Sequence, residues 1–473
     1  MTFYSLQFLI FLSVVFVVYY SIPQKYRYIW LVAASIFFYG TYGKEYLLIL
    51  FGVASVSYIS ARVIGKKTAP KIALFISIIL LAGFLCFLRV ISIWQEENIQ
   101  ISGVMIGVSF YTLVAIGYII DVYNDRTECE KNYLKYLLFL SFFPIVLSGP
   151  IERSTNLLSQ IRKGTVFSYE NIKKGMLMAL YGVFLKCLIA DRMAVIVNAL
   201  FDTYTEQTGA AMLFGIVLYG FQLYADFSGY SCIAIGIAAM FGLRVIENFS
   251  RPYFSRSIKE FWGRWHISLS SWLKDYIYIP LGGSRKGSLR HYINLMVVFL
   301  VSGLWHGNGL QFVVWGLLHG LYQVISRISG SYIKCLSEKM KIKKSCFSFR
   351  FGQILFTFFL VDFAWLFFRA SSVDEAVRII GIVLKDFQLG STLENRLWLA
   401  GYNYERFIIL SAEVLIWFVF EYIHEKGISV CDWLTKQNTV FRWCVYLFAC
   451  LTVIIGLVYN YGTDAVAFIY TRF

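Results

Sequence analysis

Apolar runs of near-bilayer length follow one another along almost the whole chain, separated by short polar segments. A helix needs about 20 apolar residues to cross the hydrocarbon core of a membrane. The pattern therefore predicts an all-α, polytopic membrane protein with about eleven transmembrane helices plus re-entrant segments. The predicted helices lie near Leu6–Ile22, Tyr28–Tyr42, Tyr46–Ile64, Ile72–Trp94, Ile101–Asp121, Tyr136–Pro150, Ile172–Leu200, Gly209–Leu243, Tyr292–Trp305, Leu310–Ile328, Ile354–Phe368, Phe407–Ile423 and Trp443–Tyr461.

Two of these runs, Tyr136–Pro150 and Tyr292–Trp305, are too short to cross a bilayer unaided. We expect them to be re-entrant or tilted elements, which need surrounding protein to satisfy their backbone hydrogen bonds. No linker, repeat or low-complexity tract interrupts the chain, so residues 1–473 are predicted to form a single integral-membrane domain. The first run has no basic residue before Lys25 and no convincing cleavage site, which favours a retained helix over a signal peptide.

The composition excludes a soluble globular protein, because 58% of the residues are hydrophobic and only 15% are charged. Soluble domains are about 25% charged. The nine cysteines form no CxxC pair, so neither a zinc framework nor a set of disulfides is predicted. The chain also has no Walker loop, no HExxH and no GxSxG elbow. We therefore expect no metal and no permanently bound cofactor.

The net charge of +15 has a membrane explanation. Residues Arg244–Arg290 hold nine basic side chains against three acidic ones, and Ser331–Arg350 hold six against one. The positive-inside rule places both segments in the cytoplasm, where anionic lipid attracts them. Nucleic acid is not an expected partner, because no soluble basic domain exists to carry it. The stretch Tyr292–Ile328 must then enter the membrane and return, with its turn at Trp305–Gly309.

His306 lies at this turn and is the strongest candidate for chemistry. Imidazole titrates near neutrality, so it can take a proton from a hydroxyl and return it to a leaving group. Gly303, Gly307 and Gly309 are expected to open the helix and leave room for a ligand. On the pattern alone, a core histidine bonded to a carbonyl is an equally good interpretation.

Other intramembrane polar residues have both structural and functional interpretations. His319 follows His306 by thirteen residues, which puts it on the opposite side of one helix unless the glycines break that helix. His266 lies in an aromatic run that is typical of an interfacial anchor. Asp226 could orient a catalytic histidine, or it could pair with Lys186 as a packing element.

Sequence blocks spread over residues 100–370 carry a family resemblance. The most specific are Phe261–Ser268, Trp272–Tyr276 and Ile279–Arg285, followed by Leu304–Gly307 and Trp315–Gly320. The other blocks are Gly107–Thr112, Ile119–Tyr123, Phe142–Pro144, Ser148–Arg153, Phe221–Ser231, Asn248–Phe249, Pro252–Tyr253 and Asp362–Trp365. On these blocks the chain resembles the membrane-bound O-acyltransferases, and within them the bacterial membrane subunits of alginate O-acetylation. It departs from them at Cys232, where relatives often carry an acidic residue.

The resemblance implies that His306 and His266 are the catalytic residues, His306 as general base and His266 as a hydrogen-bond donor to the thioester carbonyl. It implies an acyl-CoA donor, expected to be acetyl-CoA, and cationic side chains suit the phosphates of that donor. The implied acceptor is an extracytoplasmic polysaccharide, reached with a partner acetyltransferase, and the implied location is the bacterial inner membrane. The residues nominated to bind the donor are Arg256, Lys259, Arg264, Arg285 and Lys286.

Three other interpretations stay open. The branch that transfers D-alanine to teichoic acid shares Trp265-His266 and Trp305-His306 with this chain. The chain could also be a transporter, in which the intramembrane polar groups line a pathway, or a non-catalytic scaffold of a polysaccharide-export complex. The sequence does not identify the glycan.

Overall fold

The computed structural model describes residues 1–67, 69–98, 106–388 and 404–459, and these ranges contain helices and no strands. The predicted all-α class is confirmed. The helices are α1 Leu6–Ser21, α2 Arg27–Gly40, α3 Lys44–Gly65, α4 Pro70–Asn98, α5 Val108–Tyr123, α6 Tyr133–Ser141, α7 Ser159–Lys163, α8 Tyr169–Val183, α9 Asp191–Asp202, α10 Gly209–Met240, α11 Ile258–Arg264, α12 Ile267–Leu273, α13 Ser288–His306, α14 Leu310–Lys339, α15 Phe347–Arg369, α16 Val373–Lys385, α17 Tyr404–Glu425, α18 Val430–Thr435 and α19 Thr439–Tyr459.

Seven helices in the described ranges are long and apolar enough to cross a membrane. They include α3, α10, α13, α15 and α17, and two shorter apolar helices, α1 and α5, accompany them. The chain is therefore a multi-pass membrane protein, and the count of about eleven spans stays a prediction. Part of the predicted run Ile101–Asp121 lies outside the described residues, as does the end of Trp443–Tyr461.

Two apolar runs were expected to be too short to cross a bilayer, and the structure agrees for only one of them. The run Tyr136–Pro150 is helical only as far as Ser141, after which the chain turns. The prediction for Tyr292–Trp305 is wrong: α13 begins four residues earlier, at Ser288, and its 19 residues suffice for a span. The polar residues Ser288, Arg290 and His291 extend the helix beyond the apolar run that the sequence pattern detects.

The described residues divide into two compact units. The first contains those within 1–183 and 229–247, and the second contains those within 184–228 and 248–459. In the first unit, α8 packs closely on the end of α10, because a Cβ on Gly182 would lie 2.5 Å from the carbonyl oxygen of Gly229. Small residues of this kind let membrane helices approach each other.

Part of the Ser148–Arg153 sequence block also belongs to the framework of the first unit. The carboxylate of Glu152 accepts hydrogen bonds from the Asn156 side chain and from the backbone N–H of Ile246. Burial raises the pKa of Glu152 to about 7, although these hydrogen bonds oppose the rise. This carboxyl group joins two chain segments nearly a hundred residues apart.

In the second unit, α13 and α14 form the helical hairpin that the sequence predicts, turning between His306 and Leu310. The expectation that the glycines here leave room for a ligand is wrong. A Cβ on Gly303 would collide with the carbonyl oxygen of Phe312, and one on Gly316 would collide with that of Phe299. These glycines bring the two backbones together, so they fix the position of His306 rather than open space around it.

Candidate active site

His266 is held between two short helices, α11 and α12, by the segment around Asn248. The backbone N–H of Ile267 donates to the carbonyl of Asn248 over 2.9 Å, and the N–H of Ser250 donates to the carbonyl of Arg264 over 2.9 Å. His266 itself has a φ of +43°. This left-handed conformation costs energy for a residue with a side chain, and such strain is concentrated at functional sites.

Asn248 also determines where neutral His266 carries its proton. The Oδ1 atom of Asn248 accepts a hydrogen bond from the backbone N–H of Ser268, so it is the oxygen and not the amide nitrogen that faces this side. The Nδ1 atom of His266 lies 3.2 Å from the same oxygen and must donate to it. In a neutral imidazole the other nitrogen, Nε2, then carries a lone pair and accepts hydrogen bonds.

His306 ends α13 and lies within a cluster of aromatic rings. Its ring centroid lies 4.8 Å from that of Trp305, 5.1 Å from that of Trp315 and 5.3 Å from that of Phe368. The side chain is buried. His306 therefore contributes to the packing of this cluster, so an alanine substitution would leave a cavity.

The fold brings His266 and His306 together, although forty residues separate them in the sequence. Their ring centroids are 6.5 Å apart, and the Trp305 ring lies 6.2 Å from that of His266. The two imidazoles are thus close neighbours in the second unit. Both residues predicted to be catalytic thus belong to one buried site.

His319 belongs to the same aromatic cluster. The glycine turn reverses the chain between His306 and His319, so the opposite-face argument for a single helix does not apply. The Trp315 ring joins the two histidines, with its centroid 5.1 Å from that of each. The indole Nε1 of Trp262 lies 3.3 Å from Nδ1 of His319 and donates to it. Neutral His319 therefore carries its proton on Nε2.

Three N–H groups in this cluster have no hydrogen-bond acceptor among the described residues. They are His319 Nε2, Trp315 Nε1 and Trp365 Nε1, and all three side chains are buried. A buried donor without an acceptor costs about 1–3 kcal/mol. Such donors fit a ligand with carbonyl oxygens, which would accept the hydrogen bonds that the protein does not provide.

The acidic residue Asp226 lies in a different cluster. The Nζ atom of Lys186 is 2.6 Å from Oδ1 of Asp226 and 2.7 Å from Oδ1 of Asp191. Lys186 lies in the π-helical segment Phe184–Ala190, between α8 and α9, and is buried. These contacts favour the interpretation of Asp226 as an ion-pair partner of Lys186.

Of the five residues nominated to bind the donor, four are exposed, and the fifth, Arg264, is partly buried and ion-paired. Arg264 contacts Glu260 over 2.7 Å and Glu425 over 2.8 Å. Burial alone would lower the pKa of Arg264, but the carboxylates of Glu425 and Glu260 raise it above its ordinary value. The exposed residues, which form no ion pair within the described ranges, are Arg256, Lys259, Arg285 and Lys286.

The loop that carries Arg285 and Lys286 is anchored to α13. The side-chain amide of Asn294 donates to the carbonyl of Gly283 over 2.9 Å, and Asn294 is buried. Asn294 precedes His306 by twelve residues, or about 18 Å along the helix. The basic loop and His306 are thus attached to the same helix, at its start and at its end.

Sequence reasoning did not assign roles to Asn248, Asn294, Trp262 or Trp315. Asn248, Trp262 and Trp315 lie inside sequence blocks of the family resemblance, but their partners are distant in the sequence, so the blocks do not reveal their roles. Across the described residues, no three His, Cys, Asp or Glu side chains converge as a metal site.

Comparisons with known proteins identify the family of this chain. The model of the membrane-bound O-acyltransferase family matches residues 124–373. The chain is 35% identical to the probable alginate O-acetylase AlgI of Pseudomonas putida, over 85% of this chain and 83% of that protein. It is 33% identical to the peptidoglycan O-acetyltransferase of Helicobacter pylori, over 74% and 72%. It is 26% identical to the teichoic acid D-alanyltransferase of Bacillus subtilis, over 46% and 57%.

The family match covers more than half of the chain and includes α13, α14 and the segment that holds His266. The relatives named as O-acetylases align over most of their own length. The chain therefore belongs to the membrane-bound O-acyltransferase family and is an O-acyltransferase.

Proposed function

We propose that this protein transfers an acetyl group from cytoplasmic acetyl-CoA toward an extracytoplasmic polysaccharide, in the inner membrane of a bacterium. The observation that carries the proposal is the pair of buried imidazoles of His266 and His306, 6.5 Å apart, within an O-acyltransferase fold. The alginate and peptidoglycan O-acetylases among the relatives support a polysaccharide as the acceptor.

The donor enters from the side of the basic loop. Arg285 and Lys286 are exposed beside the start of α13, where they can bind the phosphates of coenzyme A. Asn294 anchors this loop about 18 Å from His306, a distance that the extended phosphopantetheine arm can bridge. Arg264 is excluded from the phosphate site, because Glu260 and Glu425 already neutralise it.

Acyl transfer needs a base for the acceptor hydroxyl and an acid for the thiolate. His306 takes the hydroxyl proton as the oxygen attacks the thioester carbonyl, and it returns that proton to the sulfur when the C–S bond breaks. The hydrogen bond to Asn248 favours an acceptor role for His266, which differs from the donor role that the family resemblance implies. His266 Nε2 can then hold the acceptor hydroxyl by accepting its hydrogen bond.

The carbonyl oxygen of the thioester gains negative charge during the attack and needs donors. Trp315 Nε1 and His319 Nε2 are buried N–H groups, and the Trp315 ring lies against the rings of both His306 and His319. We assign them this role. A separate extracytoplasmic acetyltransferase then completes delivery of the acetyl group to the glycan.

The alternative acyl group is D-alanine, since a teichoic acid D-alanyltransferase is also a relative. That relative aligns over a smaller part of this chain than the O-acetylases do, which favours acetyl transfer. A transporter or a scaffold would form no covalent bond, whereas an O-acyltransferase does, so membership of this family argues against both alternatives.

The test uses the purified full chain in detergent with [14C]acetyl-CoA. The proposal predicts release of coenzyme A thiol and loss of that release in His306→Asn. Release of thiol that is equal in wild type and His306→Asn would overturn the mechanism. Thiol release only when a D-alanyl thioester replaces acetyl-CoA would instead establish the alternative acyl group.

A further inference from the structure

A cavity in the first unit is lined by cationic side chains and is not used by the proposed acyl transfer. Its volume is about 350 Å³. Its cations come from chain segments far apart in the sequence and are Lys25, Arg27, Lys135, Arg162 and Lys163. No acidic residue lines it.

The arrangement of these cations is fixed by the surrounding structure. The Arg27 guanidinium donates to the carbonyl of Thr165 over 3.0 Å and lies over the Tyr19 ring, 5.2 Å from its centroid. The Lys135 ammonium lies 5.4 Å from the centroid of Tyr28. Cation–π contacts hold a charge in place without neutralising it.

The charge in the cavity is poorly balanced. Arg162 pairs with Glu130 over 2.6 Å, just outside the lining. The other four cations have no carboxylate within 4 Å in the part of the chain that the structure describes. Like charges that share a cavity repel each other, and a bound anion would remove that repulsion.

One wall of the cavity depends on a glycine. Gly164 has a φ of +77°, which favours glycine, and a Cβ there would lie 2.9 Å from Nε2 of Gln24. Gly164 follows Lys163 and precedes Thr165, and it brings this turn against the 3₁₀ helix Gln24–Tyr26, which carries Lys25. The close approach of these two segments forms the concave surface.

We propose that this cavity binds the phosphate of an anionic phospholipid headgroup. Six of its fourteen lining residues are apolar or aromatic, including the buried Leu31, Leu138 and Ile161, as an amphipathic ligand requires. Ile29 and Phe167 are close in the sequence to residues that line the cavity, and their apolar side chains are exposed, as expected if a membrane covers them. Basic pockets between membrane helices are typical sites for acidic headgroups.

The test measures lipid binding by native mass spectrometry of the full chain in detergent. Phosphatidylglycerol and phosphatidylcholine are titrated into the wild type and into Lys25→Gln/Lys163→Gln. Both lysines are exposed, so the variant is expected to fold. We expect the wild type to prefer phosphatidylglycerol and the variant to bind it roughly 30-fold more weakly, with phosphatidylcholine binding unchanged.

The matched control is Lys66→Gln/Lys71→Gln, which removes two exposed charges of the same unit outside the cavity. It should bind phosphatidylglycerol like the wild type. Equal weakening in both variants would overturn the proposal, because the effect would then be one of net charge. Desulfo-coenzyme A is the second probe. If the cavity variant loses this nucleotide but keeps the lipid, the cavity holds nucleotide phosphates and the lipid proposal is wrong.

Discussion

The second unit contains two groups of buried polar side chains, which differ in how far the surrounding protein supplies their ion-pair and hydrogen-bond partners. In the Lys186 cluster, the ammonium faces two carboxylates at 2.6 and 2.7 Å. In the histidine cluster, imidazoles and indoles lie against aromatic rings, and Trp315 Nε1 and His319 Nε2 have no acceptor among the described residues.

The difference separates structural from functional polarity. A buried charge is stable only when opposite charges and hydrogen bonds compensate it, and a complete cluster has little capacity left for a ligand. Neutral donors can stay unsatisfied at a smaller cost and then bind a substrate that supplies the acceptors. Substitutions in the histidine cluster are therefore expected to change turnover, and substitutions in the Lys186 cluster are expected to change stability.

The largest effect on turnover is expected for His306→Asn. Asparagine fills part of the volume among the Trp305, Trp315 and Phe368 rings but cannot exchange a proton near neutral pH. Loss of general acid–base catalysis should reduce thioester turnover by about 10²- to 10⁴-fold. Stopped thiol-release assays measure this, and an unchanged thermal midpoint serves as the folding control. A well-folded, fully active variant would contradict the assignment.

The second-largest loss of turnover is expected for Trp315→Phe. It keeps an aromatic ring between the two histidines but removes the Nε1 donor. Removal of one donor to a developing oxyanion reduces kcat by about 10²- to 10³-fold. The matched control is Trp365→Phe, which removes the same group one ring further away, where Trp365 stacks on Trp315 at 5.7 Å. Equal losses in both variants would show that packing, and not the donor next to His306, is responsible.

His266→Asn should retain more activity than His306→Asn. Asparagine tolerates the left-handed φ of +43° and still offers a hydrogen-bond acceptor. We expect kcat to fall by less than about 10²-fold, below the loss for the general base. Comparison of kcat for the two asparagine variants measures the division of roles. Equal loss in both would mean that the two imidazoles act as one unit.

The smallest effect on turnover, and the largest on stability, is expected for Asp226→Asn. Disruption of a buried ion pair destabilises a fold by about 3–5 kcal/mol, and the low end applies because Lys186 keeps Asp191. Unfolding of the variant in detergent should show this loss, while kcat per folded molecule stays near the wild-type value. A stable variant with no turnover would move Asp226 into the catalytic group and remove the contrast between the two clusters.

The α13–α14 hairpin was predictable from the sequence, but the role of its glycines was not. The sequence pattern predicted the α13–α14 hairpin and placed His306 at its turn, because two basic segments expected on the same side of the membrane require the chain between them to enter the membrane and return. The pattern could not predict the function of the glycines there. Whether a glycine opens space or closes it depends on the facing helix, and the carbonyls of Phe299 and Phe312 occupy that position.

The sequence by itself determined the class of protein, most of the helices and the family, since these depend on apolar length, loop charge and local motifs. Tertiary structure decided which residues share a site. His266 and His306 meet across forty residues, and the donor atoms of the imidazoles depend on Asn248 and Trp262. It also separated paired Arg264 from exposed Arg285, and it gathered the cations of the first unit around one cavity. Hydrogen bonds and ion pairs act over about 3–4 Å, so they depend on the three-dimensional position of each atom, which sequence spacing does not specify.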